Sequence, residues 1–325
     1  MYNARMIANL GLVGLLIGHL LLMQLAGAGP LTCMILEWSG FRASPADRVA
    51  RAHVGKKLAK NCVFAIIAGS LLGLMMIWLA TAIGERDYSS VIERFYSRVW
   101  WGVWELVTYL VAMLIYWLSW DRLSKSTAGR FLHRFVAIFA VTNLLYHFPP
   151  LLTVMVDAMN SNEAVPAEPI TSAEFRGLIF QTPVLAKTLH FGFASLAIVG
   201  AWLMGHASAD TTIIEQTEEG EVAFVAGPPR LGGLLATIAI VMQLLVGLWL
   251  VVLAPATEQA AIMGKDSVAV VCLFGGVLLS LVALNQSAAI AMGEGKLWQA
   301  RMASAMISAT VVLMILVTAR LGGLL

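Results

Sequence analysis

Apolar residues along this chain fall into long blocks separated by shorter polar stretches. A helix needs about 20 apolar residues to cross a bilayer. Eight blocks meet that length, at roughly 7–28, 61–83, 99–119, 131–156, 184–206, 231–254, 267–291 and 302–323. The pattern predicts an all-α, polytopic membrane bundle of about 8 transmembrane helices forming a single transmembrane domain over residues 1–325. Most connectors are short. Residues 39–60 and 207–230 read as polar connectors. Residues 157–183 form a polar loop with Pro166, Pro169 and Pro183, and it joins helices 1–4 (7–156) to helices 5–8 (184–323).

Composition supports the same class. The chain is 59% hydrophobic and 12% charged. A soluble domain would carry about twice that charged fraction. A net charge of +2 gives no case for a nucleic-acid partner. Cys33, Cys62 and Cys272 lie in or beside apolar stretches without paired spacing, so they read as small core hydrophobes. There is no Cys-x-x-Cys-His, which excludes covalent c-type haem. The first apolar run is long enough to span and has no cleavage-site pattern, so it reads as a retained helix.

Charge then sets the orientation. Arg42, Arg48, Arg51, Lys56, Lys57 and Lys60 lie between helices 1 and 2, and Arg122, Lys125, Arg130 and Arg134 between helices 3 and 4. Both connectors are on one side, which the positive-inside rule makes cytoplasmic. Both termini are then outside, in a multi-pass protein of the cell inner (cytoplasmic) membrane. The 207–230 connector is on the cytoplasmic side but acidic, with Glu215, Glu218, Glu219 and Glu221; acids weigh little in the rule. Trp100, Trp101, Trp120 and Trp298 fall near predicted interfaces, where indole is favoured.

Three histidines, His19, His147 and His190, sit within the spans. An ionisable group in hydrocarbon is a functional-site hypothesis by default, and neutral imidazole is a standard haem ligand. Each has a plainer reading as a hydrogen bond between helices. Lys187 is one turn before His190 and shares its face, where it could snorkel or pair with a haem propionate. Pro149-Pro150 follows His147 and predicts a kink. His19 lies on a helix with Gly11, Gly14, Gly18, Gly27 and Gly29, suited to close packing against a helix or a flat cofactor. Glu105 is a carboxyl deep in helix 3, a candidate proton relay or a partner for a neighbouring helix. His133 and His206 fall at cytoplasmic helix ends and His53 in the first cytoplasmic loop, so all three read as solvated or interfacial.

Several motifs, taken in order, resemble subunit I of the cytochrome bd-type quinol oxidases. They are His19, Leu36-Glu37, Gly55-Lys56-Lys57-Leu58 with Asn61 through Gly69, Trp120-Asp121-Arg122-Leu123-Ser124-Lys125, Asn143-Leu144, and Thr182-Pro183-Val184 with Lys187 and His190. The resemblance runs through helices 1–6. It implies that His19 ligates a haem of the oxygen-reducing site and His190 a low-spin haem b. It implies one to three b-type haems, while the motifs do not settle whether a haem d is among them. A second membrane subunit, similar to bd subunit II, or a cytochrome c-type donor is the implied partner.

The chain also departs from that family. Only Ala254 to Asp266 joins helices 6 and 7, where the family has its long quinol-binding loop. A quinol donor therefore stays open, but its usual loop is missing. The family's helix 7 methionine position aligns with Ala269, and Met263, about two turns away, is the nearest substitute ligand. Helix 8 contains no acid, although the family has a haem-ligating glutamate there. The paired helix 3 glutamates align with Trp101 and Tyr109, with Glu105 midway between them. His147 is foreign to the pattern, and one hypothesis makes it a replacement ligand. Two functions follow. One is a haem-binding redox subunit that passes electrons within the membrane, with oxygen as a candidate acceptor, as in a terminal oxidase. The other is a non-catalytic anchor or assembly subunit that kept the fold and lost haems.

Overall fold

The computed structural model describes residues 2–40, 43–83, 88–123, 125–160, 165–207, 215–216, 222–223 and 227–325. Arg42, Ser124, Glu218, Glu219 and Glu221, used above, lie outside the described residues. Ten α-helices follow one another: α1 (Tyr2–Ser39), α2 (Pro45–Ile83), α3 (Tyr88–Leu123), α4 (Thr127–Asn160), α5 (Ser172–Ile179), α6 (Thr182–Ala207), α7 (Pro228–Leu253), α8 (Ala256–Ala260), α9 (Ser267–Met292) and α10 (Leu297–Leu321). Among the described residues eight helices are long and apolar enough to cross a membrane. All but α5 and α8 qualify. Among the described residues a two-residue antiparallel ladder, Glu215–Gln216 with Val222–Ala223, and a π-helical turn, Ala261–Lys265, complete the regular structure.

The span count matches the apolar blocks, but the helices are longer than the blocks. α2 begins at Pro45, so most of the expected 39–60 connector is helix. Its 39 residues extend about 58 Å, roughly twice the hydrocarbon thickness. A backbone satisfies its own hydrogen bonds in water as well as in lipid, so α2 continues past its apolar stretch. α1 likewise runs from Tyr2 to Ser39 through Pro30, and α4 stays helical across Pro149 and Pro150. Within 157–183, the short α5 folds back onto α3 and α4. Phe175 and Ile179 are buried there with Val91, Phe95, Leu151 and Val154.

Helices α1 and α6 form the centre. α1 packs on α2, α4, α6 and α10, and α6 packs on α7, α1, α10 and α4. Small residues allow this. A Cβ on Gly200 of α6 would lie 2.7 Å from the Gly232 carbonyl of α7, and one on Gly232 would lie 2.8 Å from the Gly200 carbonyl. The two backbones therefore touch, as helices do in membranes, where lipid removes the hydrophobic drive to associate and close packing supplies the attraction. Outward positions are apolar: Phe64, Leu71 and Trp78 on α2, Trp100, Trp104 and Leu118 on α3, and Phe274 and Leu278 on α9 are all exposed. This is the surface of a protein whose solvent is lipid.

Candidate functional site

Each intramembrane histidine occupies a different seam. His19 faces α2. Its Nδ1 lies 2.7 Å from the Gly69 carbonyl, and the carbonyl can only accept, so Nδ1 carries the proton. Gly73 makes room for the ring, since a Cβ there would stand 3.0 Å from Cε1 and 3.1 Å from Nδ1 of His19. The bond to Gly69 leaves the lone pair on Nε2. Metal-ligating histidines are commonly oriented in this way, with the second nitrogen donating to a backbone carbonyl.

His190 lies between α6 and α7. Gln243 donates Nε2 to the His190 carbonyl at 2.7 Å, which ties the two helices together. A Cβ on Gly247 would come 3.8 Å from His190 Cε1, so α7 turns a small residue toward the ring. The Nδ1 atom of His190 is buried without a hydrogen-bond partner, as is Oε1 of Gln243. Orphaned buried polar atoms cost free energy in apolar surroundings. Binding to haem iron would satisfy such a nitrogen, so the chemistry of His190, and of His19 through Nε2, fits a haem ligand.

His147 differs. It is buried in α4, its Nε2 is 3.2 Å from the Arg98 carbonyl, and its Nδ1 is 3.6 Å from Oε1 of Glu105. Both ring nitrogens are turned to protein groups, an arrangement that does not fit a replacement iron ligand. Asn143 holds the same stretch of α3 by donating Nδ2 to the Glu105 carbonyl at 2.6 Å. Glu105 Oε2 is buried without a partner, and the residue lines an open groove of about 670 Å³ with Leu31, Phe139, Thr142, Asn143 and Tyr146.

The other two expected site residues lie at surfaces. Lys187 pairs with Asp157 at 2.6 Å, linking the start of α6 to the end of α4. Met263 is 74% exposed in a π-helical turn, Ala261–Lys265, before α9. That exposure is unlike the setting of a buried thioether ligand. Among the described residues no three His, Cys, Asp or Glu side chains gather as around a bare metal ion. Haem needs no such cluster, because its macrocycle supplies four ligands and the protein one or two.

One site escaped the sequence reading. His133 was expected at an interface, yet it is wholly buried. Its Nδ1 meets Glu37 Oε2 at 3.1 Å and its Nε2 meets the Tyr116 carbonyl at 2.8 Å. The ring stacks on Tyr116 at 3.7 Å and meets Trp120 edge-on at 5.1 Å. Glu37 was the available signal, as a carboxyl in an apolar helix requires a partner. His53 is exposed, as expected, and His206 is half-buried with its ring stacked on Trp202 at 4.5 Å.

Fold and sites together define a polytopic helical membrane protein with ionisable groups held in its helix seams. Among solved structures, this one is similar to the structure of bd oxidase from Geobacillus thermodenitrificans, with a TM-score of 0.69 and 12% sequence identity over 98% of this chain and 87% of that one. At that identity the likeness establishes a bd-oxidase-like fold. No protein-family model and no curated protein matches the chain.

Proposed function

We propose that this protein is a haem-binding redox subunit in which His190 and His19 would hold b-type haem. The observation that carries the reading is the buried, unpartnered Nδ1 of His190 in a glycine-faced seam of a bd-oxidase-like fold. Bound haem would supply reversible one-electron chemistry at a potential set by axial ligand, burial and hydrogen bonding. The chain's part is to fix the imidazoles and exclude water. Gly69 sets the His19 tautomer, Gly73 admits the ring, and Gln243 clamps α7 to α6 at His190. The cell inner membrane is the proposed location. Electrons would come from a cytochrome c-type donor or a second membrane subunit, since only a short segment stands where the family's quinol loop would be.

The alternative, a scaffold that has lost haems, is favoured by one set of positions. α10 has no acid, Met263 is exposed, and His147 is committed to Glu105 and Arg98. Pyridine haemochrome counting on purified wild-type, His190→Ala and His19→Ala protein separates the two. The redox reading expects haem in the wild type and loss of part of it in each variant. Equal haem content in all three would remove these histidines from the ligand set, and none in folded wild type would leave the scaffold.

A further inference from the structure

We infer that Glu105 and His147 form a single proton-carrying dyad that exchanges its proton with the α5 side of the protein. The argument begins with the tautomer. The Arg98 carbonyl can only accept, so His147 Nε2 is the protonated nitrogen at 3.2 Å. In the neutral ring Nδ1 then carries a lone pair, and that lone pair faces Glu105 Oε1 at 3.6 Å. A lone pair opposite a carboxyl calls for one proton between them. It can sit on Glu105, giving a neutral acid and a neutral imidazole, or on Nδ1, giving a carboxylate and an imidazolium. Both arrangements have zero net charge, so neither leaves an uncompensated charge in the membrane. The separation is longer than a direct hydrogen bond, so transfer requires the two side chains to draw closer.

The dyad has an apolar end and a polar end. On one side, the unpartnered Oε2 of Glu105 borders the groove between α3 and α4. On the other, Phe175 of α5 covers His147, with ring centroids 5.8 Å apart. Arg98 lies over the same Phe175 ring at 5.5 Å and donates Nη2 to Ser172 at 2.6 Å. Arg98 on α3 is the charged group beside the dyad; the Arg94–Glu174 ion pair joins α3 to α5 one turn further along α3, and the Lys187–Asp157 pair joins α6 to α4 near the end of α4. Among the described residues no carboxylate pairs with Arg98, and its Nε is buried without a hydrogen bond.

Transfer through the dyad balances as follows. The Oε1–H bond of Glu105 breaks as an Nδ1–H bond forms. The ring then turns, its Nδ1–H bond breaks as that proton passes to water on the α5 side, and turning back restores the Nε2–H tautomer beside a Glu105 carboxylate, which regains a proton from water by the reverse path. One proton has moved from the carboxyl to the outside, and no electron is involved. His147 is thus a proton-transfer partner here, in place of the iron ligand suggested by sequence. The inference stands on this geometry and does not require haem.

The test is infrared spectroscopy of the full-length protein in lipid, in H2O and D2O. The Glu105 carboxyl band is assigned by its loss in Glu105→Gln. In His147→Phe the band is expected to shift to the frequency of a carboxyl without an acceptor, and its deuteration to slow. Phe175→Ala leaves the dyad intact, and is expected to keep the band position but speed deuteration severalfold. An unchanged band and rate in His147→Phe would overturn the dyad, and an unchanged rate in Phe175→Ala would overturn the α5 route. If His147→Phe does not fold, the Phe175→Ala rate together with the wild-type band decides: a wild-type band at the free-carboxyl frequency overturns the dyad. Both measurements stand with or without haem, so failure of the haem reading is seen separately.

Discussion

The buried histidines show how much one neighbouring atom decides. His19 and His147 each donate to a backbone carbonyl, yet opposite nitrogens are left with the lone pair, Nε2 in the first and Nδ1 in the second. Only the first leaves that lone pair clear of a carboxyl. Sequence gives the histidine but not the carbonyl it meets, so which ring nitrogen keeps its lone pair was not legible there. Gly73 belongs with His19, and Gly73→Val is expected to displace the ring and lower haem content per chain without unfolding the bundle, read by pyridine haemochrome against circular dichroism. A haem count equal to wild type would remove His19 from the ligand set. His133 makes a structural prediction. Its replacement by alanine strips Glu37 of its buried partner and opens a cavity beside Tyr116, costing about 3 kcal/mol or more. His133→Gln, which retains a donor, is expected to cost less. Thermal unfolding in detergent measures both.

Among the elements, the short helix α5 is the piece that hydropathy could not reveal. Its Phe175 and Ile179 are too few to form an apolar block, and polar residues surround them. Thr171 caps it, accepting from the Glu174 amide at 3.2 Å. Thr171→Ala is expected to loosen α5 by about 1 kcal/mol, seen as faster amide exchange over 172–180 with the spans unaffected. Helix ends were misplaced for a related reason. The basic residues that mark a connector are also good helix formers, so α2 runs straight through them. α9 has the clearest cap. Asp266 accepts from the amides of Val268 and Ala269 and pairs with Arg320 at 2.6 Å. The Ala269 amide first, and then Arg320, hold its carboxyl below the ordinary aspartate range. A depressed folded value means the cap is fully present above the unfolded aspartate range and is lost as pH falls through the lower folded value. Amide exchange at 267–270, corrected for intrinsic rates, is therefore expected to stay slow through mild acid and to rise only at strongly acidic pH. A rise already at mild acid would show that the carboxylate does not cap.

For the whole molecule, eight apolar blocks were sufficient to state the fold class, because lipid forbids every spanning structure except self-satisfied helices and closed barrels. What the blocks could not give is which helices meet. The central positions of α1 and α6 depend on which small residues face which neighbour, as at Gly200 and Gly232, and no single sequence shows that pairing. The same limit hid the Glu37–His133 and Glu105–His147 pairs, each made of residues on two different helices. The arrangement places His190 and His19 on α6 and α1, the two helices at the centre of the bundle. The most direct test of that placement is a dithionite-reduced minus oxidised visible spectrum of the purified protein, with haem counted per chain. The account predicts sharp b-type bands at one or more haems per chain, and a featureless spectrum from well-folded protein would contradict it.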